Sequence, residues 1–207
     1  MEKVNLWTLV MDGGYIMIPL AVLLLLTIYI FVERYIVINK TLKQDPTFMN
    51  RLRDYLNEGD LHSAQNLCKT ADSPYGRMIL KGVDMIGRPI EEVTSAIENT
   101  GNLEVANLGK GMTWLSTTAA GAPMLGFLGT VIGMVEAFHN LAAAGSSANI
   151  DVLAGGIYEA LVTTVAGLVV GVIALFAYNY LVARINTVMT KLESKTMEFM
   201  DMLNEPA

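Results

Sequence analysis

Two threonines and one glutamate are the residues of this chain whose chemistry conflicts most with their apolar surroundings. Thr130 lies in an apolar stretch that ends near residue 141, and Glu159 and Thr164 lie in a second that begins near residue 151. Unsatisfied hydroxyls and charges are costly in hydrocarbon, so such groups tend to face protein or water. The two hydroxyls are therefore candidates for lining an enclosed pore, where they could orient water.

Each of these residues also has a purely structural interpretation. A threonine hydroxyl inside a helix can donate a hydrogen bond to its own backbone carbonyl one turn earlier, which would satisfy Thr130 and Thr164 without a pore. Glu159 lies within the first turns of its stretch. It is either an interfacial charge near the lipid headgroups or the mouth of an ion path.

Small residues recur at helical spacing in both stretches. They are Gly126, Gly129 and Gly133 in the first stretch and Gly167 and Gly171 in the second. Thr130 shares a helix face with glycines of its own stretch, and so does Thr164. Membrane helices associate through such strips because small residues let their backbones approach closely, so helix packing explains these glycines.

The elements that must hold these residues are membrane-spanning helices. No lysine or arginine occurs from Gly111 to Ala183. A turn rich in small residues divides this region into two apolar segments of roughly 20 to 25 residues, each long enough to cross a bilayer core of about 30 Å. Tyr15 to Val32 form a third apolar run, with Pro19 where a helix would begin. A cleaved signal peptide is disfavoured because Glu33-Arg34-Tyr35 follows the run where small residues should stand.

Composition supports a membrane protein and excludes several other classes. Of the 207 residues, 53% are apolar and 16% charged, and the net charge is -6. Basic and acidic residues nearly balance between the first and second spans, which argues against a nucleic-acid surface. The single cysteine, Cys68, excludes an internal disulfide and is expected to be a small buried hydrophobe. His62 and His139 are too far apart in sequence for a metal motif, and no nucleophile and base pair indicates an enzyme.

Basic residues predict the orientation of the spans. They follow the first and third spans closely, whereas the turn between the second and third has none. The positive-inside rule then puts the N-terminus and this turn outside and the C-terminus in the cytoplasm. The predicted segments are an outer tail (1–14), a first span (15–32), a cytoplasmic helical region (33–115), a second span (116–141), an outer turn (142–154), a third span (155–183) and a cytoplasmic C-terminal helix (184–207).

The cytoplasmic region is predicted to form short amphipathic helices. Turn signals punctuate it at Asp45-Pro46, Gly59-Asp60, Asp72-Ser73-Pro74 and Gly87-Arg88-Pro89. After Pro89 one long helix is expected to run into the second span, with a kink near Gly109 and Gly111 as the alternative. The C-terminal helix is expected to pack on this region rather than to lie on the membrane surface.

One absence limits what the spans can do alone. Neither Met112 to Val135 nor Ala160 to Ala183 contains a carboxylate, lysine or histidine. Threonines and backbone can orient water but cannot bind and release protons near neutral pH. A partner would have to supply the titrating group.

Two motifs on these spans resemble the MotA/TolQ/ExbB proton-channel family, within its ExbB/TolQ branch. They are Ala122-Pro-Met-Leu-Gly-Phe-Leu-Gly-Thr-Val-Ile-Gly-Met-Val-Glu-Ala-Phe138 and Gly155-Gly-Ile-Tyr-Glu-Ala-Leu-Val-Thr-Thr-Val-Ala-Gly-Leu168. The resemblance implies an all-α membrane protein, a homopentamer that surrounds the spans of an ExbD/TolR-like partner dimer. The partner's membrane aspartate would carry the protons, and no other cofactor is implied.

The resemblance also assigns roles to individual residues. Thr130 and Thr164 match the family's pore threonines, and Glu159 matches the glutamate before its Ala-Leu pair. The helix-packing positions are matched by Pro123, Gly126, Gly129, Gly133 and Gly167. The chain departs from the pattern at Ile132, where many members carry tryptophan, and by polar groups at Glu136 and Thr163.

The function that follows is a stator-like proton-channel subunit in a bacterial inner membrane. It would couple proton flow to work on a periplasmic partner, as ExbB-type proteins do for TonB-dependent outer-membrane transport. The alternatives are a TolQ-like motor of the Tol/Pal system in envelope maintenance and a non-conducting membrane scaffold. A flagellar MotA role is disfavoured because that branch has four spans, and the lack of a mid-span cation cage favours protons over sodium.

Overall fold

The described part of the chain is entirely helical. A computed structural model describes residues 13–43, 45–144 and 150–204. These residues form seven helices, which are α1 (Met17–Leu42), α2 (Phe48–Asn57), α3 (Leu61–Thr70), α4 (Pro74–Val83), α5 (Ile90–Leu108), α6 (Met112–Ala144) and α7 (Ile150–Asn204). Among them α1, α6 and α7 are long and apolar enough to cross a membrane. For the described residues, the prediction of an all-α protein with three helices able to span a membrane is confirmed. The orientation of these helices and the pentameric assembly stay predictions.

The helices are assigned to two compact units. Of the described residues, the span unit contains those up to Val32 and those of Gly111–Tyr180, and the polar unit contains those of Glu33–Lys110 and those from Leu181 onward. Both α1 and α7 contribute residues to each unit. Each of the three apolar helices is longer than its predicted span, and α1 and α7 continue into more polar sequence.

The core of the span unit is small. Leu20 of α1 packs with Ala122 of α6 and Val170 of α7, and all three side chains are buried. Large apolar side chains cover much of the outside of this unit, among them Phe127, which is 66% exposed, and Phe176, which is 71% exposed. Such surface suits lipid or other protein spans rather than water.

The polar unit confirms the predicted turns. Three of the turn signals fall between two helices, and the fourth, Asp72-Ser73-Pro74, leads into α4 at Pro74. The Asp60 side chain caps α3 by accepting a hydrogen bond from the Ser63 N–H at 3.0 Å, and the Ser73 hydroxyl caps α4 by accepting one from the Gly76 N–H at 3.1 Å. These caps satisfy backbone donors that the first turn of a helix leaves open.

The C-terminal part of α7 packs inside the polar unit, as the sequence predicts. Phe199 is fully buried and lies against Gly82 of α4, and the Ile97 side chain of α5 reaches the same glycine. A side chain at Gly82 would collide with the Phe199 ring, so a glycine is needed at this contact. A bidentate ion pair between Arg77 of α4 and Glu104 of α5, with both N–O distances at 2.7 Å, joins the same helices.

The expectation of one continuous helix from Pro89 into the second span is wrong. Helix α5 ends at Leu108 and α6 begins at Met112. Gly111 adopts a φ of 81°, which belongs to the left-handed region that residues with a side chain seldom adopt. The helix therefore ends near Gly109 and Gly111, where the sequence predicted a kink as the alternative to one long helix. The division between the two units falls at the same place.

Candidate functional site

The candidate site lies where α6 crosses α7 in the span unit, and it depends on backbone contact. A Cβ atom added to Gly167 would come within 2.6 Å of the Ala122 carbonyl oxygen and 2.8 Å of the Gly126 Cα. One added to Gly126 would come within 2.8 Å of the Thr163 carbonyl oxygen. Real Cβ atoms do not approach other atoms so closely, so these two glycines are what allows the two helices to touch.

The other small residues extend this contact in both directions. Gly129 receives the Thr163 side chain, Gly133 faces Ala160, and Gly171 receives the Pro123 ring. Proline has no N–H to donate within the helix, and its ring needs room. The glycine opposite provides that room, so the predicted packing positions form one continuous contact line along α6 and α7.

The structure brings Thr130 and Thr164 together. Their hydroxyl oxygens are hydrogen-bonded to each other across the α6–α7 contact. Thr164 Oγ1 also donates to the Gly126 carbonyl at 3.1 Å, and Thr130 Oγ1 lies 3.2 Å from the Ala160 carbonyl. Thr130 Oγ1 also lies 3.3 Å from the Gly126 carbonyl, one turn earlier on its own helix, which is the bond that the structural interpretation requires. The other three bonds cross from one helix to the other. The two hydroxyls therefore form a bridge between helices.

Thr163 belongs to the same cluster, although the sequence singled it out only as a departure from a pattern. Its side chain is 3% exposed, and its hydroxyl lies 2.7 Å from the Ala160 carbonyl and 3.3 Å from the Gly126 carbonyl. Its position one residue before Thr164 was visible in the sequence. What the sequence did not show is that the pair straddles the contact, so that both hydroxyls reach α6.

Glu159 is separate from the hydroxyl cluster. Five residues along an α-helix turn it about 140° away from Thr164. The Glu159 side chain is exposed, and its carboxylate lies against Gly14 at the start of the described chain. Gly14 has a φ of 62°, and a side chain there would collide with the carboxylate. This residue thus stands at one end of the site, beside the segment that leads into α1.

A further polar group in the spans was not among the candidate site residues. Thr27 of α1 is 1% exposed, and its hydroxyl has no hydrogen-bond partner among the described residues. A buried hydroxyl without a partner costs free energy. In the sequence it stood out only as a polar residue in an apolar run.

The cluster can orient water or a donor but cannot itself carry protons. Its oxygen atoms belong to hydroxyls and carbonyls, which do not titrate near neutral pH. Over the ranges that the structure describes, no group of three or more histidine, cysteine or carboxylate side chains could hold a metal ion. Cys68 lies outside the site in the polar unit, where burial and, second, the charge of Asp84 raise its pKa to about 12.

Comparisons with known proteins identify the family of this chain. The model of the MotA/TolQ/ExbB proton channel family matches residues 70–194. A putative biopolymer transport protein ExbB-like 1 of Synechocystis is 35% identical over 176 residues, which cover 84% of this chain and 69% of the relative.

Two other relatives carry different names. The biopolymer transport protein ExbB of Xanthomonas campestris is 43% identical over 90 residues, which cover 44% of this chain and 35% of the relative. The Tol-Pal system protein TolQ of Haemophilus influenzae is 28% identical over 190 residues, which cover 86% of this chain and 82% of the relative. With the family match extending from α3 through both helices of the hydroxyl cluster, the chain belongs to the MotA/TolQ/ExbB proton channel family, in its ExbB/TolQ branch.

Proposed function

We propose that this chain is the channel subunit of an inner-membrane motor that couples the proton motive force to work on a periplasmic partner. The observation that carries the proposal is the hydroxyl bridge of Thr130 and Thr164. It lies within two spans that contain no carboxylate, lysine or histidine from Met112 to Val135 or from Ala160 to Ala183. Such a site can orient a proton carrier but needs the carrier from elsewhere.

The carrier is proposed to be the membrane aspartate of a single-span, ExbD/TolR-like partner. A carboxylic acid that enters a water-poor pore can take up a proton from one side of the membrane and release it to the other side. In this scheme Thr130 and Thr164 line the pore and Glu159 stands at its outer mouth. The chain is proposed to assemble as a pentamer around the partner, with its N-terminus and its α6–α7 turn outside and its C-terminus in the cytoplasm.

An ExbB-like role in TonB-dependent outer-membrane transport is preferred to a TolQ-like role in envelope maintenance. Support comes from the relative named ExbB-like 1, which is 35% identical to this chain, whereas the relative named TolQ is 28% identical over a similar share of it. The relative named TolQ supports the second role as the alternative. Complementation of strains that lack either ExbB or TolQ separates the two, since rescue of only the strain lacking TolQ contradicts the preference.

Proton flux into proteoliposomes tests the channel directly. The chain is reconstituted with its co-expressed single-span partner, and flux is measured for the wild type, Thr130→Val and Thr164→Val. We expect each variant to lower partner-dependent flux at least about tenfold, because valine keeps the shape but removes a hydrogen bond of about 1 kcal/mol and leaves polar partners unsatisfied.

Thr118→Val is the matched control. Thr118 is buried on the same helix at 1% exposure but lies about 18 Å from Thr130 along the axis, so its loss should leave the flux unchanged. Unaltered flux in both pore variants would overturn the pore assignment.

A wild-type assembly that passes no protons with its partner supports the remaining alternative, a non-conducting scaffold. Native mass spectrometry gives the stoichiometry, and a stable assembly of other than five copies contradicts the pentamer.

A further inference from the structure

Three hydroxyls at the α6–α7 contact compete for two carbonyl groups. The Gly126 carbonyl lies within reach of Thr130, Thr163 and Thr164, and the Ala160 carbonyl lies within reach of the first two. A hydroxyl has one proton to donate, and a carbonyl has two lone pairs. Within a helix the backbone N–H four residues later takes one of those lone pairs. Each carbonyl therefore keeps one lone pair for a hydroxyl.

The distances decide which hydroxyl takes which carbonyl. Thr163 Oγ1 lies 2.7 Å from the Ala160 oxygen, whereas Thr130 Oγ1 lies 3.2 Å from it. The shorter bond is the stronger, so Thr163 occupies this acceptor. Thr164 Oγ1 is the nearest of the three hydroxyls to the Gly126 oxygen, at 3.1 Å. The remaining proton, that of Thr130, then has Thr164 Oγ1 as its partner.

We infer that Thr163 is a positioning residue that sets the direction of the hydroxyl chain. By holding the Ala160 carbonyl it directs the proton of Thr130 to Thr164 and that of Thr164 to the Gly126 carbonyl. The lone pairs of Thr130 Oγ1 are left to accept a hydrogen bond from a water molecule or a protonated carboxyl group. Without the Thr163 hydroxyl, Thr130 can donate to the Ala160 carbonyl instead. Thr164 can then donate to Thr130, which reverses the direction of the hydrogen bonds.

This inference rests on the proposed function, because it describes how the hydroxyl pair is prepared for the partner's carboxylic acid. The competing interpretation is that Thr163 only fills space. Its side chain does fit against Gly129, where an added Cβ would lie 2.5 Å from Thr163 Oγ1. Valine preserves that shape without the hydroxyl, and serine preserves the hydroxyl without the methyl group. The two interpretations therefore predict opposite orders of proton flux for these two variants.

Partner-dependent proton flux in proteoliposomes provides the first test. If Thr163 acts through its hydroxyl, Thr163→Val should lower flux about fivefold, the effect of one typical hydrogen bond, and Thr163→Ser should retain at least about half of the wild-type flux. The reverse order, or equal flux in all three proteins, overturns the inference. Size-exclusion profiles that match the wild type show that the variants assemble.

A double-mutant cycle provides a stricter test of the direction of the chain. Because Thr163 acts on Thr130, its replacement should have little further effect on flux in a Thr130→Val background. Losses that simply multiply would contradict the inference. Thr118→Val combined with Thr163→Val is the control pair, whose effects should be independent.

A thermal cycle on the purified oligomer keeps the inference testable if the assembly does not conduct. The melting temperatures of Thr130→Val, Thr163→Val and the double variant should be non-additive, since the two hydroxyls share the Ala160 and Gly126 carbonyls. Additive shifts overturn the inference. Absent wild-type flux with non-additive melting shifts would reject the proposed function while leaving the geometry of the hydroxyl chain supported.

Discussion

At the scale of single residues, the environment of a side chain decides its chemistry more than its type does. Thr27, Thr130 and Thr163 are all threonines in apolar helices, yet Thr27 has a buried hydroxyl without a partner among the described residues and the other two bridge helices. The lone thiol shows the same dependence. Cys68 is 1% exposed, and burial raises its pKa from 9.0 to about 12.

Cys68 should therefore be inert toward thiol reagents in the folded protein. We expect negligible reaction with Ellman's reagent at pH 8, because the thiolate is the reactive form, and one thiol per chain after unfolding in denaturant. A Lys69→Cys variant, exposed on the same helix, should show one thiol per chain that reacts rapidly without denaturant. Prompt reaction of the native wild-type thiol would contradict this prediction.

The same thiol predicts a loss of stability at alkaline pH. Its folded pKa is raised, so the thiol contributes to stability fully below about pH 9. That contribution is lost as the pH rises from 9.0 toward 12, because only the unfolded chain ionises there. Urea unfolding of Cys68→Ala should show a shallower decline of stability over this range than the wild type. Parallel curves for the two proteins would show that the thiol does not titrate on unfolding.

At the scale of elements, helix contact and helix breaks both depend on glycine, but for different reasons. Gly167 is required by space, since its neighbours at the α6–α7 contact are backbone atoms that cannot move aside. Gly111 is required by conformation, since its φ of 81° is one that glycine adopts readily. Space is not the reason, because a Cβ added there would lie 3.4 Å from a side-chain methyl group of Ile30, an ordinary contact distance.

Gly167→Ala should destabilise the span unit. The added methyl group would lie within 2.6 Å of the Ala122 carbonyl oxygen, and overpacking of this kind costs about 1–3 kcal/mol. Gly121→Ala is the matched control, because this glycine lies inside α6 with nothing within 4 Å of the added Cβ. Thermal melting in detergent should show a clear loss for the first variant and none for the second. Equal melting temperatures would show that the helices do not touch at Gly167.

Gly111→Ala should destabilise the junction between α5 and α6. The left-handed conformation costs a residue with a side chain about 1–2 kcal/mol. Gly109→Ala, which is two residues away and has no positive φ, should cost nothing measurable or stabilise. Chemical unfolding of both variants measures the difference. If Gly111→Ala is instead the more stable variant, α5 and α6 form the continuous helix that the sequence first suggested.

At the scale of the whole molecule, charge and hydropathy divide the chain between two environments. The span unit exposes phenylalanines and leucines, whereas ion pairs such as Arg77–Glu104 and the side-chain helix caps of Asp60 and Ser73 lie in the polar unit. This division matches the segments that the basic residues assign to the cytoplasm. The direction in which the chain is inserted is a prediction of the positive-inside rule.

Cysteine labelling in whole cells tests that direction. In a Cys68→Ala background, Ser146→Cys in the connection between α6 and α7 should react with a membrane-impermeant maleimide from outside. Ser194→Cys, exposed near the end of α7, should react only after the inner membrane is permeabilised. Reaction with the opposite pattern would invert the proposed topology, because the positive-inside rule would then have failed for this chain.

Much of the architecture was readable from the sequence because it depends on local physics. Hydropathy over about 20 residues predicts a span, proline and glycine mark helix ends, and apolar spacing marks a buried face. These rules located the three spans, the four turns of the polar unit and the helical C-terminal segment that packs through Phe199. The glycine strips also predicted the face on which α6 and α7 meet.

What depends on the relative placement of two helices was decided only by the tertiary structure. Sequence spacing put Thr130 and Thr164 on contact faces, but the register of α6 against α7 decides that their hydroxyls meet and that Thr163 reaches the same carbonyls. It also decides that Glu159 stands apart, and the φ of Gly111 decides that the helix breaks. The physical reason is range: helix formation and hydropathy are sums over neighbouring residues, whereas a hydrogen bond between helices depends on a displacement of less than 1 Å between segments some 30 residues apart.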